Sequence, residues 1–287
     1  MMGESRKLCE YRFDEPLNKH TSFKIGGCAK IFVQPKTTQA LLCALQNFQQ
    51  ARLLAKGTNV LPPDEGVESV VSTLGLNRYQ LNGDLIESEP GVLLSTLCKA
   101  AAREGLSGLE FAYGIPGTIG GAVYMNAGAY GGEICQVVEC VEAYDGNKVF
   151  RLDRSQMDFS YRSSIFKNTG WVILKVVLRL RRADPEEIEK TMEEIMRKRI
   201  STQPLDLPSA GSVFKRPRQD FYVGKAIEHL GLKGFRIGDA QISTKHAGFI
   251  VNLGNAKASD VKQLIGIVQK KVYENYAVHL EPEVEIW

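Results

Sequence analysis

Seven of the chain's 27 glycines fall between Gly114 and Gly132, in the run Gly114-Ile115-Pro116-Gly117-Thr118-Ile119-Gly120-Gly121-Ala122-Val123-Tyr124-Met125-Asn126-Ala127-Gly128-Ala129-Tyr130-Gly131-Gly132. Glycine bares its own peptide groups and accepts positive φ, so such a run lets backbone approach a ligand closely. The small and polar residues Thr118, Ala122 and Asn126 point to a ligand carrying phosphates. A flexible linker would carry Ser, Lys or Glu; this run carries Ile115, Pro116, Ile119, Val123, Tyr124 and Met125, which predicts a buried, close-packed turn. Within it, Gly114-x-x-Gly117-Thr118-x-Gly120-Gly121 is placed to open a short helix whose unpaired N–H groups face an anion. Neither G-x-G-x-x-G nor G-x-x-x-x-G-K-[ST] occurs. By its chemistry alone the run is a dinucleotide or phosphate cradle of another type.

Other reactive side chains are less specific by themselves. Ser212, in Ala210-Gly211-Ser212-Val213-Phe214, is not in a G-x-S-x-G nucleophile turn and has no histidine nearby in sequence, so no hydrolase is indicated. Glu281, Glu283 and Glu285 alternate and fall on one face of an extended segment, so their pattern does not choose among them. No His, Cys and Asp cluster has metal-ligand spacing, and no metal is expected.

The elements that must carry these residues alternate. Lys30–Gln34 reads as a strand, Thr38–Ala51 as an amphipathic helix and Arg52–Ala55 as the next strand, a β-α-β start ending in the loop Lys56-Gly57-Thr58-Asn59. Ser69–Leu74, Arg78–Leu81 and Asp84–Glu89 read as strands, and Val92–Arg103 as a helix leading to the glycine run. Val137–Tyr144 and Lys148–Leu152 flank the hairpin signal Asp145-Gly146-Asn147, and Trp171–Leu180 is a strong strand. Asp184-Pro185 opens a charged helix over Pro185–Thr202. Phe221–Leu230 (helix), Ala247–Asn252 (strand), Ala258–Tyr276 (helix) and Val278–Trp287 (strand) follow. The class is mixed α+β, with a cofactor-binding part before about residue 186 and a smaller part after it.

With 287 residues the length predicts about two domains, and 36 basic against 33 acidic residues give a formal charge of +3, which implies neither a nucleic-acid nor a membrane partner. The six cysteines form no C-x-x-C pair; most sit beside apolar residues and read as reduced core thiols of a cytoplasmic protein. Met1–Lys7 lacks the apolar core of a signal peptide, and no apolar run approaches the ~20 residues of a membrane-spanning helix.

Six motifs, taken in order, resemble the UDP-N-acetylenolpyruvoylglucosamine reductase family (UDP-N-acetylmuramate dehydrogenases). Asn18-Lys19-His20-Thr21-Ser22-Phe23-Lys24-Ile25-Gly26-Gly27 resembles its opening signature, and Lys56-Gly57-Thr58-Asn59-Val60-Leu61 its flavin loop. Leu109–Gly132 resembles its longest motif, and Tyr161-Arg162-x-Ser164, Ser209–Lys215 and Glu281-Pro282-Glu283-Val284 complete the set. The resemblance spans nearly the whole chain and is to the subgroup without an inserted tyrosine loop.

The resemblance implies an FAD-binding module of the vanillyl-alcohol-oxidase type in two subdomains, 1–75 with 276–287 and 76–186, plus a substrate-binding domain at 187–275. It implies FAD as cofactor, NADPH as reducing co-substrate, and reduction of a UDP-sugar enolpyruvyl ether for peptidoglycan precursors by a monomer or weak oligomer. Hydride added from the flavin to the vinyl carbon pushes charge into the substrate carboxylate, leaving the protein to stabilise that charge and deliver one proton. Arg162 matches the catalytic arginine, Glu283 the catalytic glutamate and Ser212 the proton donor. Cofactor contacts are expected from Ala55, Lys56, Gly57, Thr58, Asn59, Ile115, Pro116, Gly117, Thr118, Gly120, Gly121, Ala122, Asn126 and Gly128. Tyr161, Arg199, Lys215 and Lys225 are expected at the substrate, Arg199 leading for the UDP diphosphate, while His20 and His246 read as structural. Three departures stand out: Ala55 where a glycine is usual, Pro62-Pro63 after the loop, and Glu285 where an arginine is common. A flavin oxidase of the same fold, or a non-catalytic flavin or nucleotide-sugar binder, are the competing readings.

Overall fold

The computed structural model describes residues 8–287; the Met1–Lys7 segment read above for a signal peptide lies outside the described residues. The chain divides into two units. The first comprises, of the described residues, 8–12, Ile31–Lys56 and Ser69–Arg199; the second comprises Phe13–Lys30, Gly57–Glu68 and Ile200–Trp287.

In the first unit the β-α-β start forms as expected. Strand Cys28–Pro35 leads to helix α1 (Thr38–Asn47), and Arg52–Leu54 pairs in parallel with Val67–Ser72. The Thr37 hydroxyl caps α1 by accepting from the Ala40 N–H at 3.2 Å. The helix ends at Asn47 rather than Ala51: the Phe48 backbone has left the helical region, although its N–H still bonds Ala44. A five-stranded antiparallel sheet has the order Val149–Asp153, Val138–Tyr144, Val172–Arg179, Leu85–Ser88, Tyr79–Asn82. The first two strands join at the Asp145-Gly146-Asn147 turn, where the Asp145 carboxylate accepts from the N–H groups of Asn147 and Lys148 at 2.8 Å each. Helix α2 (Leu94–Arg103) buries Leu94, Leu97, Cys98, Ala101 and Ala102 against this sheet's core. Helices α3 (Ile119–Met125) and α4 (Ile165–Thr169) complete that core, and α5 (Pro185–Thr202) has the limits predicted for it.

In the second unit an antiparallel sheet of order Ser209–Ser212, Phe249–Asn252, Ala240–Ile242, Arg236–Ile237 packs with α6 (Val223–His229) and α7 (Ala258–Tyr276). Helix α7 turns Val261, Leu264, Ile265, Val268 and Val272 inward, the i, i+3, i+4 spacing of one buried face. Its start is held by Asp64, whose carboxylate accepts from the N–H groups of Ala258 (2.6 Å) and Ser259 (3.0 Å).

Several expectations are corrected. Strand Cys9–Pro16 and the pairings at 209–212, 236–237 and 240–242 went unread, being short or polar on both faces. Val278–Trp287 is extended with alternate burial of Val278, Leu280 and Val284, but only Glu285–Ile286 is a paired strand, parallel to Val60–Leu61. Pro282 interrupts the rest, because it has no N–H to give to a ladder. Of the six cysteines only Cys9, Cys98 and Cys140 are buried, while Cys28 and Cys43 are exposed, and all are free thiols. Burial pushes the Cys98 thiol up to about 12. No helix among the described residues is long and apolar enough to cross a membrane.

Burial works to raise the Asp64 pKa, but the two α7 N–H groups outweigh it and hold this carboxyl below its ordinary value. A depressed carboxyl contributes stability above its unfolded pKa that is lost as pH falls through the folded one. Asp64→Ala is therefore expected to cost about 1 kcal/mol in urea unfolding at pH 7 and progressively less below about pH 4, the range of an unperturbed carboxyl. An equal cost at pH 7 and pH 2 would refute the cap.

Candidate active site

The glycine run is packed, as its apolar residues required. Ile119, Gly120, Ala122, Val123 and Met125 of α3 are buried, and so are its polar ends Thr118 and Asn126. A β-carbon at Gly120 would stand 2.7 Å from Pro90 Cβ and 3.0 Å from its carbonyl, so only glycine lets the helix lie on that segment.

The N–H groups expected to face an anion are engaged by protein. Ile119 N–H donates to Val92 O (2.9 Å), Gly120 N–H to Pro90 O (3.0 Å) and Gly121 N–H to Thr118 Oγ1 (3.3 Å). The start of α3 is thus a packed joint. The open part of the run precedes and follows it: Gly114, Ile115 and Gly117 are half-buried and Pro116 exposed, as Ala127, Gly128, Ala129 and Tyr130 are partly or fully exposed. Gly121 also keeps an open side, since a β-carbon there would meet only Thr118 Oγ1 at 3.6 Å and Ala55 Cβ at 4.0 Å. The end of strand Arg52–Leu54 and the glycine run, some 65 residues apart, therefore come together in one unit. Ala55 has no positive φ, so its methyl group costs no backbone strain.

Arg162 hangs from the far end of the run. It occupies a two-residue turn, Tyr161-Arg162, closed by Ser160 N–H to Ser163 O and Ser163 N–H to Ser160 O, both 3.1 Å. Its φ of +55° is rare for a residue with a side chain. Three bonds dock this turn: Arg162 Nη2 to Gly128 O (2.7 Å), Asn126 Nδ2 to Ser160 O (3.0 Å) and Ser164 Oγ to Tyr124 O (2.7 Å). Asn126 also donates to Glu133 Oε2 (3.1 Å) and accepts from Cys135 N–H (3.1 Å), so its side chain is spent on positioning. The Arg162 guanidinium lies 5.0 Å from the Tyr161 ring centroid, and Tyr161 is exposed. Arg199 is buried against Gly114 of the same run. Lys56, the last residue of this segment, is exposed.

The second unit ties the remaining motifs together. Ser22 N–H donates to Gly57 O (3.0 Å) while Ser22 Oγ donates to Ser209 O (2.7 Å), so one serine of the opening signature joins the flavin loop to the Ser209–Ser212 strand. Gly57 has φ +66°, and a β-carbon on it would strike the His20 carbonyl at 2.1 Å. Thr58 and Asn59 are half-buried, and Asn59 Nδ2 donates to the Glu283 carbonyl at 3.0 Å. The Glu283 N–H donates to Val213 O (2.7 Å), next to Ser212, and Lys215 N–H to Glu281 O (2.9 Å). Ser212 and Glu283 are therefore on adjacent segments, Ser212 exposed and Glu283 half-buried. Lys215 is ion-paired with Glu281 at 2.6 Å, and Lys225 lies 5.2 Å from the Tyr222 ring centroid. His20 meets Glu15 at 2.7 Å, and the His246 Nδ1 accepts from Gly248 N–H at 3.1 Å with burial lowering its pKa. Pro62 and Pro63 are buried, Pro63 O accepting from Gly27 N–H at 2.9 Å. Glu285 N–H donates to Asn59 O at 2.9 Å. Ser22, Ser160 and Ser164 were not singled out from sequence; Ser22 and Ser164 fall within the six motifs, and Ser160 immediately precedes one.

Comparison with known proteins decides the family. Residues 203–287 match the family model for the C-terminal domain of UDP-N-acetylenolpyruvoylglucosamine reductase, and residues 29–148 match that for an FAD binding domain. The reductase of Pseudothermotoga lettingae is 58% identical over 282 residues, covering 98% of this chain and 99% of its own length. That of Thermotoga maritima is 52% identical, covering 95% and 97%. The chain belongs to the UDP-N-acetylenolpyruvoylglucosamine reductase family. The crystal structure of the reductase from Thermus caldophilus superposes with a TM-score of 0.82 at 38% identity, covering 97% of this chain and 98% of that one. The α+β fold with an FAD-binding module is thus that of a UDP-N-acetylenolpyruvoylglucosamine reductase. The residues fit that cofactor: Gly121 leaves an open approach beside Ala55, and Arg199 is a buried cation whose charge no carboxylate answers among the described residues.

Asn126→Ala would leave the Cys135 N–H without its Asn126 acceptor and the Ser160 carbonyl with the Ser163 N–H alone, and is expected to destabilise by about 1–3 kcal/mol in denaturant unfolding. It should also speed amide exchange at Ser160 and Ser163 relative to the five-stranded sheet. Unaltered exchange there would show that Asn126 does not hold the Arg162 turn.

Proposed function

We propose that the protein reduces UDP-N-acetylglucosamine enolpyruvate to UDP-N-acetylmuramate in peptidoglycan precursor synthesis, with NADPH as reductant and in the cytoplasm. What carries this reading is the 58% identity with the Pseudothermotoga lettingae reductase over 98% of this chain and 99% of that protein's length. FAD, when bound, relays hydride from NADPH to the enolpyruvyl double bond. Ala55 to Asn59, Ile115 to Gly117, Thr118, Gly120, Gly121, Ala122, Asn126 and Gly128 would line its site, several through backbone or through the positions they hold.

Arg162 holds the substrate carboxylate. Its guanidinium offers a planar fork to two carboxylate oxygens, and the attraction grows as hydride addition drives charge into them. The Gly128 carbonyl anchors one Nη while the turn keeps the backbone left-handed, so the fork is oriented before substrate arrives. Ser212 gives the proton to the carbon next to the new C–H bond; a strongly basic carbanion needs only a well-aimed hydroxyl. Glu283, its backbone held by Asn59 and Val213, is the catalytic glutamate of this reading. Tyr161 and Lys225 contribute substrate contacts, and Lys215 does so through a charge it shares with Glu281.

The purified protein should be yellow, and NADPH should bleach it anaerobically. Adding UDP-N-acetylglucosamine enolpyruvate should then restore the oxidised flavin spectrum; absence of reoxidation would remove this reading. Ser212→Ala should keep flavin reduction by NADPH at the wild-type rate while slowing reoxidation by the enolpyruvyl substrate by about 10²-fold or more. Equal losses in both half-reactions would contradict the proton-donor role.

A further inference from the structure

The strand that carries Ser212 is one residue too long for its partner. Ser209 pairs with Val251, and a regular antiparallel ladder would then set Ser212 against Gly248. Ser212 pairs instead with Phe249, so one extra residue lies between Ser209 and Ser212. Both ends of this bulge are fixed: Asn252 N–H donates to Pro208 O and Val213 N–H to Gly248 O, each at 2.9 Å. The strand lies at the edge of its sheet, and its other side is held as well. There Ser22 Oγ donates to Ser209 O at 2.7 Å and Glu283 N–H to Val213 O at 2.7 Å.

The extra residue decides which way the serine faces. Along a strand, residues two apart share a face, so without the bulge Ser212 would join Ala210. Ala210 is buried in the core of this unit, and so is Val213. An unbroken alternation cannot bury both; one added residue between them can. Ser212 then falls on the opposite face, where it is exposed. Gly211 absorbs the bulge, at φ +79°. A β-carbon on it would meet nothing within 4 Å, so the position needs glycine for its backbone and not for space.

We infer that Gly211 is a positioning residue for the reaction: its left-handed backbone turns the Ser212 hydroxyl out of the core, onto the face where substrate can meet it. This role depends on Ser212 being the proton donor, as proposed above. Gly211 touches no reacting atom; it acts through the phase of the strand.

Alanine and asparagine separate conformation from bulk. Alanine is the smaller but tolerates positive φ poorly; asparagine is larger and adopts it more readily. Gly211→Ala should bind FAD as the wild-type protein does and be reduced by NADPH at the wild-type rate. Reoxidation of its flavin by UDP-N-acetylglucosamine enolpyruvate should slow about tenfold or more, the scale on which an L-residue disfavours this backbone region. Gly211→Asn should lose less than Gly211→Ala in that step and nothing in the first. Undiminished reoxidation in Gly211→Ala would overturn the assignment. So would equal slowing of both half-reactions, or a greater loss in Gly211→Asn than in Gly211→Ala. If Gly211→Ala does not fold, Gly211→Asn decides: slowed reoxidation with wild-type reduction supports the assignment, and any other pattern overturns it. Failure of this substrate to reoxidise the wild-type flavin would instead overturn the functional reading.

Discussion

A glycine-rich backbone that is buried must find partners for its peptide groups, and the first unit is arranged to supply them. Segment 90–92 gives its carbonyls to the first N–H groups of α3, Thr118 turns its hydroxyl inward to a third, and Gly120 has no side chain because Pro90 is there. These contacts spend the helix start on packing. What the run offers to a ligand is its uncovered backbone on either side of α3 and the open flank of Gly121 beside Ala55.

The same need to satisfy backbone groups places the reactive side chains. Arg162 is held by bonds from its turn to the carbonyls and side chains of 124–128, which fixes an otherwise unfavourable φ. In the second unit the C-terminal segment runs between two others, Glu283 taking one bond from Asn59 and giving one to Val213. Ser22 links Gly57 to Ser209 in like manner. Ser22, Asn59, Thr118, Asn126 and Ser164 each close a backbone bond that would be lost without that side chain.

Electrostatics separates the basic residues that sequence grouped together. Lys215 is paired with Glu281 and Lys225 rests near Tyr222, the usual fates of partly exposed cations. Arg199 differs because it is desolvated without a carboxylate, on the unit that contains the glycine run. The resemblance assigns it to the UDP diphosphate, and in the fold it packs on Gly114 of the glycine run.

The sequence alone determined the helices with strong signals, α5 and α7 to the residue, because Asp184-Pro185 and the spacing of Val261, Leu264, Ile265, Val268 and Val272 are local properties. It likewise determined that the glycine run is packed, and the order of six motifs that identifies the family. Only the tertiary structure decided where the peptide groups of α3 bond, that Arg162 is hung from Gly128, that Asn59 reaches Glu283, and that Arg199 is buried unpaired. These depend on contacts between segments remote in sequence, up to 224 residues apart, or on the loss of water around a charge. A residue's type and its neighbours in sequence carry no record of either.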